Sequence, residues 1–175
     1  MKKLKIKYKI VDKTCPIKQP LRYALDGDAG IDLVATSWTW DEYGNVVYDT
    51  NLAIEIPEGY VGLIFPRSSL SKKQLALANH VGILDSNYRG NITFKFKPTL
   101  VFVDGSAGGE APTEALERDE MPLSELGMYD IGDRIGQLII MPYPLIEFEE
   151  YDELSETVRG SGGYGSTDNL ILTEI

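Results

Sequence analysis

Nine consecutive positions, Arg159-Gly160-Ser161-Gly162-Gly163-Tyr164-Gly165-Ser166-Thr167, combine the parts of an anion clamp. Glycines let successive backbone N–H groups converge on phosphate oxygens. Ser166 and Thr167 add hydroxyl donors, and Arg159 adds a planar charged fork. Tyr164 supplies a flat ring on which a base can stack. No Gly-Lys-Ser/Thr closes the run, so it is not a Walker loop. A bare glycine-rich tail has the same composition, so this stretch needs support from the rest of the chain.

Four other stretches carry chemistry-capable groups. In Ala29-Gly30-Ile31-Asp32-Leu33, an acid sits among apolar strand residues and needs partners. Asp32 could touch the water shell of a metal, or brace nearby backbone and arginines. In Pro66-Arg67-Ser68-Ser69-Leu70-Ser71, a charged fork and hydroxyls follow a proline. They suit phosphate oxygens, and equally a serine-rich helix cap. In Asn79 to Ile92, Asp85 ends an apolar run at the mouth of an expected hairpin. A carboxylate there could take a proton from water as a general base. Tyr88 on the same turn could lie against a sugar and exclude an extra hydroxyl. An ordinary Asp/Asn turn is the plainer alternative. In Gly132 to Ile140, Arg134 and Gln137 interrupt a β-branched strand, for bracing or for substrate contact.

The elements that must position these groups are mostly short strands. Leu4, Ile6, Tyr8 and Ile10 alternate with lysines, a half-buried strand with a charged outer face. Strands are expected at 31–35, on both sides of the Tyr43-Gly44-Asn45-Val46 turn, at 52–56, 60–65, 92–97, 134–141 and 145–148. Leu100 to Val103 extends the strand before it. Only 70–78 and 114–126 could form a helical turn or more. This pattern predicts an all-β sandwich or barrel. Asp104 to Gly127 stands apart as an acidic excursion between strands. A regulatory or partner-binding role for it has no positive support in the sequence.

Composition narrows the partners. The chain has 175 residues, enough for one domain with a core. Its 17 basic and 27 acidic residues give a formal net charge of −10. Such a surface repels polyanions, so no nucleic acid polymer is expected as a partner. Cys15 and His80 are single residues far apart in sequence, which excludes an internal disulfide and a Cys/His zinc cluster. The lysine-interleaved start does not read as a signal peptide, and no run spans a bilayer. A soluble, cytoplasmic protein without a membrane partner is the expectation.

None of these motifs is specific singly, but their order and spacing are. Ala-Gly-x-Asp-Leu, Pro-Arg-Ser-Ser-Leu, Gly-Ile-Leu-Asp-x-x-Tyr-x-Gly, Arg-Ile-x-Gln-Leu and Arg-Gly-x-Gly-Gly-Tyr-Gly-Ser-Thr follow one another. In that series the chain resembles the trimeric dUTPase family from about Leu4 to Thr167. The resemblance implies Mg2+-dependent cleavage of dUTP to dUMP and pyrophosphate. It also implies a distorted jelly-roll-like β-barrel and a homotrimer with C-terminal arm exchange. On that basis residues 1–158 form the barrel domain, with an acidic insertion at 104–127. Residues 159–175 form a flexible arm that closes over a neighbour's site.

The same resemblance distributes roles. Asp85 would activate the water that attacks the α-phosphorus. Tyr88 would pack on deoxyribose. Backbone around Asn79, Gly82, Ile83, Leu84 and Thr93 would pair with the uracil edge. Arg67, Ser68 and Ser69 would hold phosphate oxygens, with Gln137 nearby. Arg159 and the backbone from Gly162 and Gly163 through Tyr164 and Gly165 to Ser166 and Thr167 would clamp the γ-phosphate, while Tyr164 stacks on the base. Asp32 would bond to waters around the Mg2+, with no direct protein ligand expected.

The chain departs from the family pattern at Ser69 (usually Gly), Asn87 (Asp), Gly136 (Ala), Tyr164 (Phe) and Asp168 (Gly). One alternative is a dCTP deaminase of the same fold, whose loop Arg67-Ser68-Ser69-Leu70 resembles. That enzyme needs a glutamate where Lys95 stands, and lysine cannot do a carboxylate's proton work at neutral pH. Another alternative is a nucleotide-sensing regulatory protein.

Overall fold

The computed structural model describes residues 3–99 and 123–163. The expected continuation at 100–103, most of the acidic excursion, and Tyr164, Gly165, Ser166 and Thr167 lie outside these residues. The chain divides into two units, Met1–Pro144 and Leu145–Ile175.

Among the described residues the first unit is all-β apart from short 3-10 turns at Ser68–Lys72 and Leu123–Leu126. Its strands are β1 (Lys7–Ile10), β2 (Ile31–Val34), β3 (Ser37–Trp40), β4 (Val46–Asp49), β5 (Leu52–Glu55), β6 (Tyr60–Pro66), β7 (Leu75–Leu77), β8 (Gly82–Leu84), β9 (Thr93–Pro98) and β10 (Arg134–Pro142). They form a β1-β5 ribbon and two four-stranded sheets, ordered β2-β10-β6-β8 and β3-β4-β9-β7. Every pairing among them is antiparallel. No closed barrel results from these pairings.

Alternation decides which faces are buried. Phe94 and Phe96 of β9 are buried while Thr93, Lys95 and Lys97 face outward. Val46 and Tyr48 of β4 point inward on the same period. The core gathers Leu33, Tyr48, Leu52, Phe94, Phe96 and Ile135, all essentially inaccessible. Its aromatics meet closely: Phe94 stacks on Phe96 at 6.1 Å, and Phe96 lies 5.7 Å from Tyr129. Tyr48 fixes that group with one hydroxyl used twice. Its Oη donates to the Tyr129 carbonyl at 2.9 Å and accepts from the Tyr129 N–H at 3.0 Å. Burial pushes both phenols above their usual range.

The hairpin expected at Tyr43-Gly44-Asn45-Val46 is present between β3 and β4. Gly44 takes the left-handed conformation, with φ 73°. Asp41 organises the turn by accepting from the Tyr43 and Asn45 N–H groups at 3.0 and 2.9 Å.

Several expectations differ from the structure. The first strand begins at Lys7 rather than Leu4, and Leu4 and Tyr8 are exposed. Within it only Ile10 packs on the core, since β1 meets β5 in a two-stranded ribbon. The stretch 70–78 gives a 3-10 turn and then β7, because Leu75 and Leu77 alternate with exposed Ala76 and pair on β9. Arg67 occupies that turn's cap position with no side-chain cap, so the serine-cap alternative fails. Leu145 to Phe148 is not a strand: Leu145, Ile146 and Phe148 are exposed and have no ladder among the described residues.

Candidate functional site

The apolar strand β2 carries Asp32 directly opposite Gln137 of β10. A register shift in β10 between Arg134 and Gly136 bends the strand there. The Asp32 carboxylate consequently meets three side chains. Arg67 Nε donates to Oδ1 at 2.8 Å, Gln137 Nε2 to Oδ1 at 3.1 Å, and Arg134 NH1 to Oδ2 at 3.2 Å. Only 13% of the Asp32 side chain is exposed, against 28% for Arg67 and 55% for Arg134. Charge-assisted bonds in this setting hold the loop after β6 firmly against β2. Arg134 is therefore a surface brace on this carboxylate. Its head reaches Asp32 from the surface.

Ser68 opens the 3-10 turn and is exposed, and its carbonyl accepts from the Ser71 hydroxyl at 2.8 Å. Ser69 is half-buried. Arg67, Ser68, Ser69, Asp32 and Gln137 thus form one polar corner where β2, β6 and β10 meet.

Asp85 lies elsewhere. β8 pairs with β6, Gly62 opposite Leu84, which puts Asp85 just past that strand end beside Val61. The expected hairpin between β8 and β9 is not formed. β8 belongs to the β6 sheet and β9 to the β4 sheet, so 85–92 crosses from one sheet to the other. Asp85 is exposed beside a cavity of about 210 Å3 lined by Tyr60, Val61, Asp85, Ser86, Asn87 and Tyr143. The crossing is compact. The Tyr88 N–H donates to the Asp85 carbonyl at 3.0 Å, and Arg89 NH1 donates to the Ser86 and Tyr88 carbonyls at 2.6 and 2.8 Å. The Tyr88 hydroxyl donates to the Asn91 carbonyl at 2.9 Å. A Cβ on Gly90 would come 2.4 Å from that hydroxyl, so the ring's place requires glycine.

Asn79 and Ile83 are exposed, Gly82 and Leu84 are buried, and Thr93 faces outward at the start of β9. Gly82 is enclosed by Ile64 and Asn79, where an added Cβ would stand 3.2 Å from Ile64 Cβ. His80 turns the chain between β7 and β8 with φ 60°, a conformation histidine tolerates better than most residues.

The two clusters stand at opposite ends of β6. Asp85 is level with Val61, while Arg67 follows Pro66. At about 3.3 Å per residue they are roughly 20 Å apart. One copy of this chain therefore does not bring Asp85 to the Arg67 loop.

In the second unit, Arg159 folds onto its own loop. Its Nε donates to the Gly162 carbonyl at 2.9 Å, and the Gly162 N–H returns to the Arg159 carbonyl at 3.0 Å. Gly163 has open space around it.

Among the described residues no group of three or more His, Cys, Asp and Glu is placed to hold a metal. No helix among them is long and apolar enough to cross a membrane.

Residues 18–99 match the dUTPase family. The deoxyuridine 5'-triphosphate nucleotidohydrolase of Corynebacterium glutamicum is 40% identical over 164 residues, covering 93% of this chain and 93% of that protein. The chain belongs to the dUTPase family. The nucleotidohydrolase of the same name from Desulfitobacterium hafniense is 40% identical over 172 residues, covering 95% of this chain and 98% of that one. The dUTPase of Staphylococcus bacteriophage 80alpha, solved with dUPNHPP, superposes with a TM-score of 0.69 at 27% identity, covering 93% of this chain and 97% of that one.

Family membership fits the polar corner and the Asp85 turn, which sequence motifs had marked. Sequence reasoning missed Asp49 and Asn91, whose side chains meet behind the turn. The cluster Asp49-Thr50-Asn51, polar residues between two apolar strands, was the available signal.

Proposed function

We propose that this dUTPase-family chain hydrolyses dUTP to dUMP and pyrophosphate with Mg2+, as a homotrimer of distorted jelly-roll barrels whose sites are shared between copies. The separation of Asp85 and Arg67 along β6 carries this reading. A general base must lie within hydrogen-bond reach of the water it activates, close to the phosphates being held. Roughly 20 Å along a strand is too far. A site that takes Asp85 from one copy and the Arg67 loop from another meets the requirement.

In such a site Asp85 accepts the proton of a water attacking the α-phosphorus, and pyrophosphate leaves. Tyr88 covers the deoxyribose and excludes a 2′-hydroxyl. Backbone around Asn79, Gly82, Ile83, Leu84 and Thr93 reads the uracil edge. Arg67, Ser68, Ser69 and Gln137 neutralise and position the phosphate oxygens, where most of the catalytic effect of such sites resides. Residues 1–158 are the catalytic body. The arm 159–175 supplies Arg159 and the 162–167 backbone to the γ-phosphate of a neighbour's site.

The Asp32 carboxylate suits an outer-sphere role toward Mg2+. A carboxylate has about four lone-pair sites, and three side chains use three of them. One further donor, such as a metal-bound water, fits the remaining capacity. Mg2+ keeps its waters readily and would neutralise triphosphate charge when bound with the substrate. Arg67 and Gln137 meanwhile fix the Asp32 carboxylate that would orient those waters.

The deaminase alternative is disfavoured by Lys95, which pairs with Asp41 at 2.8 Å and offers no carboxylate from β9.

Pyrophosphate release from dUTP, UTP, dTTP and dCTP, with and without Mg2+, tests the proposal. Selective release from dUTP, retained binding and most turnover lost in Asp85→Asn are expected. An inert dUTP, or ammonia released from dCTP, would overturn it.

A further inference from the structure

Tyr88 is an exposed ring whose hydroxyl donates to the Asn91 carbonyl at 2.9 Å, and Asp49 holds the Asn91 side chain. Asp49 ends β4 opposite Thr93 of β9. Its carboxylate accepts from Asn91 Nδ2 and from the Asn51 N–H, with the Thr36 hydroxyl 3.4 Å away. The other end of the Asn91 amide accepts the Leu52 N–H at 2.9 Å. These two contacts fix the amide's sense. Flipping it would set an NH2 against an N–H, and a carbonyl against a carboxylate. The same residue's main-chain carbonyl receives the Tyr88 hydroxyl. The neighbouring ladder does not need Asp49. The Ile92 N–H donates to the Leu52 carbonyl at 2.8 Å, and the Thr50 N–H and hydroxyl donate to the Ile92 carbonyl at 3.2 and 2.7 Å.

We propose that Asp49 is a positioning residue for sugar selection: acting through Asn91, it sets the place of the Tyr88 ring and so the preference for deoxyribo- over ribonucleotides. This rests on the reading of Tyr88 as the surface that packs on the sugar. Asp49 touches no substrate. Its carboxylate holds Asn91, Asn91 holds the Tyr88 hydroxyl, and the ring is kept over Gly90 where it blocks a 2′-hydroxyl.

The polarity of the contact supplies a test that a merely structural role would fail. Asp49→Asn leaves one acceptor oxygen for two donors, so its NH2 must face either the Asn91 NH2 or the Asn51 N–H, and the grip on Asn91 weakens. Asn91→Asp places two carboxylates face to face. The double variant Asp49→Asn/Asn91→Asp restores a donor opposite an acceptor and keeps acceptors for the Asn51 and Leu52 N–H groups. The readout is the kcat/KM for dUTP divided by that for UTP, with melting temperature recorded alongside. Each single variant should lower the ratio about tenfold, the scale of one hydrogen bond. The double variant should return it to near the wild-type value. Tyr88→Phe, on an exposed side chain, should lower the ratio similarly even if the single variants fold poorly. Unchanged ratios in the single variants, or in Tyr88→Phe, overturn the proposal, whatever happens to the melting temperature. A wild-type protein that does not turn over dUTP, or does not prefer it to UTP, overturns the sugar-packing reading itself and this proposal with it.

Discussion

The Arg67 guanidinium is tied by its Nε to the Asp32 carboxylate at 2.8 Å, across 35 residues of sequence. This bond aims the loop after β6, so Asp32→Asn should loosen the loop while preserving its shape. A bond to a charged group contributes about 1.5–3 kcal/mol. We expect kcat/KM for dUTP to fall by roughly 10- to 100-fold, with circular dichroism unchanged. Steady-state kinetics check this. An unaltered kcat/KM would mean that Asp32 only braces the fold.

Gly136 and Phe94 occupy one space. A Cβ at 136 would lie 2.0 Å from Phe94 Cε1 and 2.9 Å from the Phe65 carbonyl. Gly136→Ala should therefore destabilise the protein by about 1–3 kcal/mol through overpacking. Adding Phe94→Leu should recover part of that loss. Urea unfolding of the single and double variants measures it.

Tyr48→Phe removes one oxygen and leaves both the Tyr129 N–H and its carbonyl without their partner. The penalty for a buried polar group left unpaired is about 1–3 kcal/mol. A correspondingly lower midpoint in urea is the expected result. Wild-type stability in this variant would mean that the backbone finds other partners.

Lys95 holds the Asp41 carboxylate far below its usual range, with help from Asn45. Lys7 similarly lowers Glu55. A lowered native value means the unfolded chain binds the proton more readily. The stability from these pairs is present above the ordinary carboxylate value and is lost as pH falls below it. The melting temperature should decline as pH drops below about 4. In Asp41→Asn that decline should be shallower. Differential scanning calorimetry at a series of acidic pH values distinguishes the two slopes.

Much of the fold was legible because its strands alternate. Phe94 and Phe96 against Lys95 and Lys97 announce a sheet with one wet face. The Gly44 turn announced its hairpin. Sheet membership was not legible, because period-two patterning says which face is buried but not which strand lies alongside. That is why β8 and β9 were expected to pair and do not. Leu145 to Phe148 has strand composition, but a strand needs a partner edge, and none is supplied among the described residues. Of the candidate site, Asp32, Arg67 and Gln137 meet at one corner, and the bracing of Asp32 by an arginine was one of the two readings its place in an apolar strand left open. The support behind Tyr88 was not legible. Asp49 and Asn91 are separated by 42 residues, and their meeting depends on the β4–β9 register.

On the proposed site shared between copies, the span of β6 makes defects complementable. Copies carrying Asp85→Asn keep an intact Arg67 loop, and copies carrying Arg67→Ala keep an intact Asp85. Neither population alone has a whole site. After unfolding and refolding together in equal amounts, random assortment into the proposed cyclic trimers should reconstitute about a quarter of the sites. Two inactive preparations would then regain dUTP hydrolysis simply by being mixed.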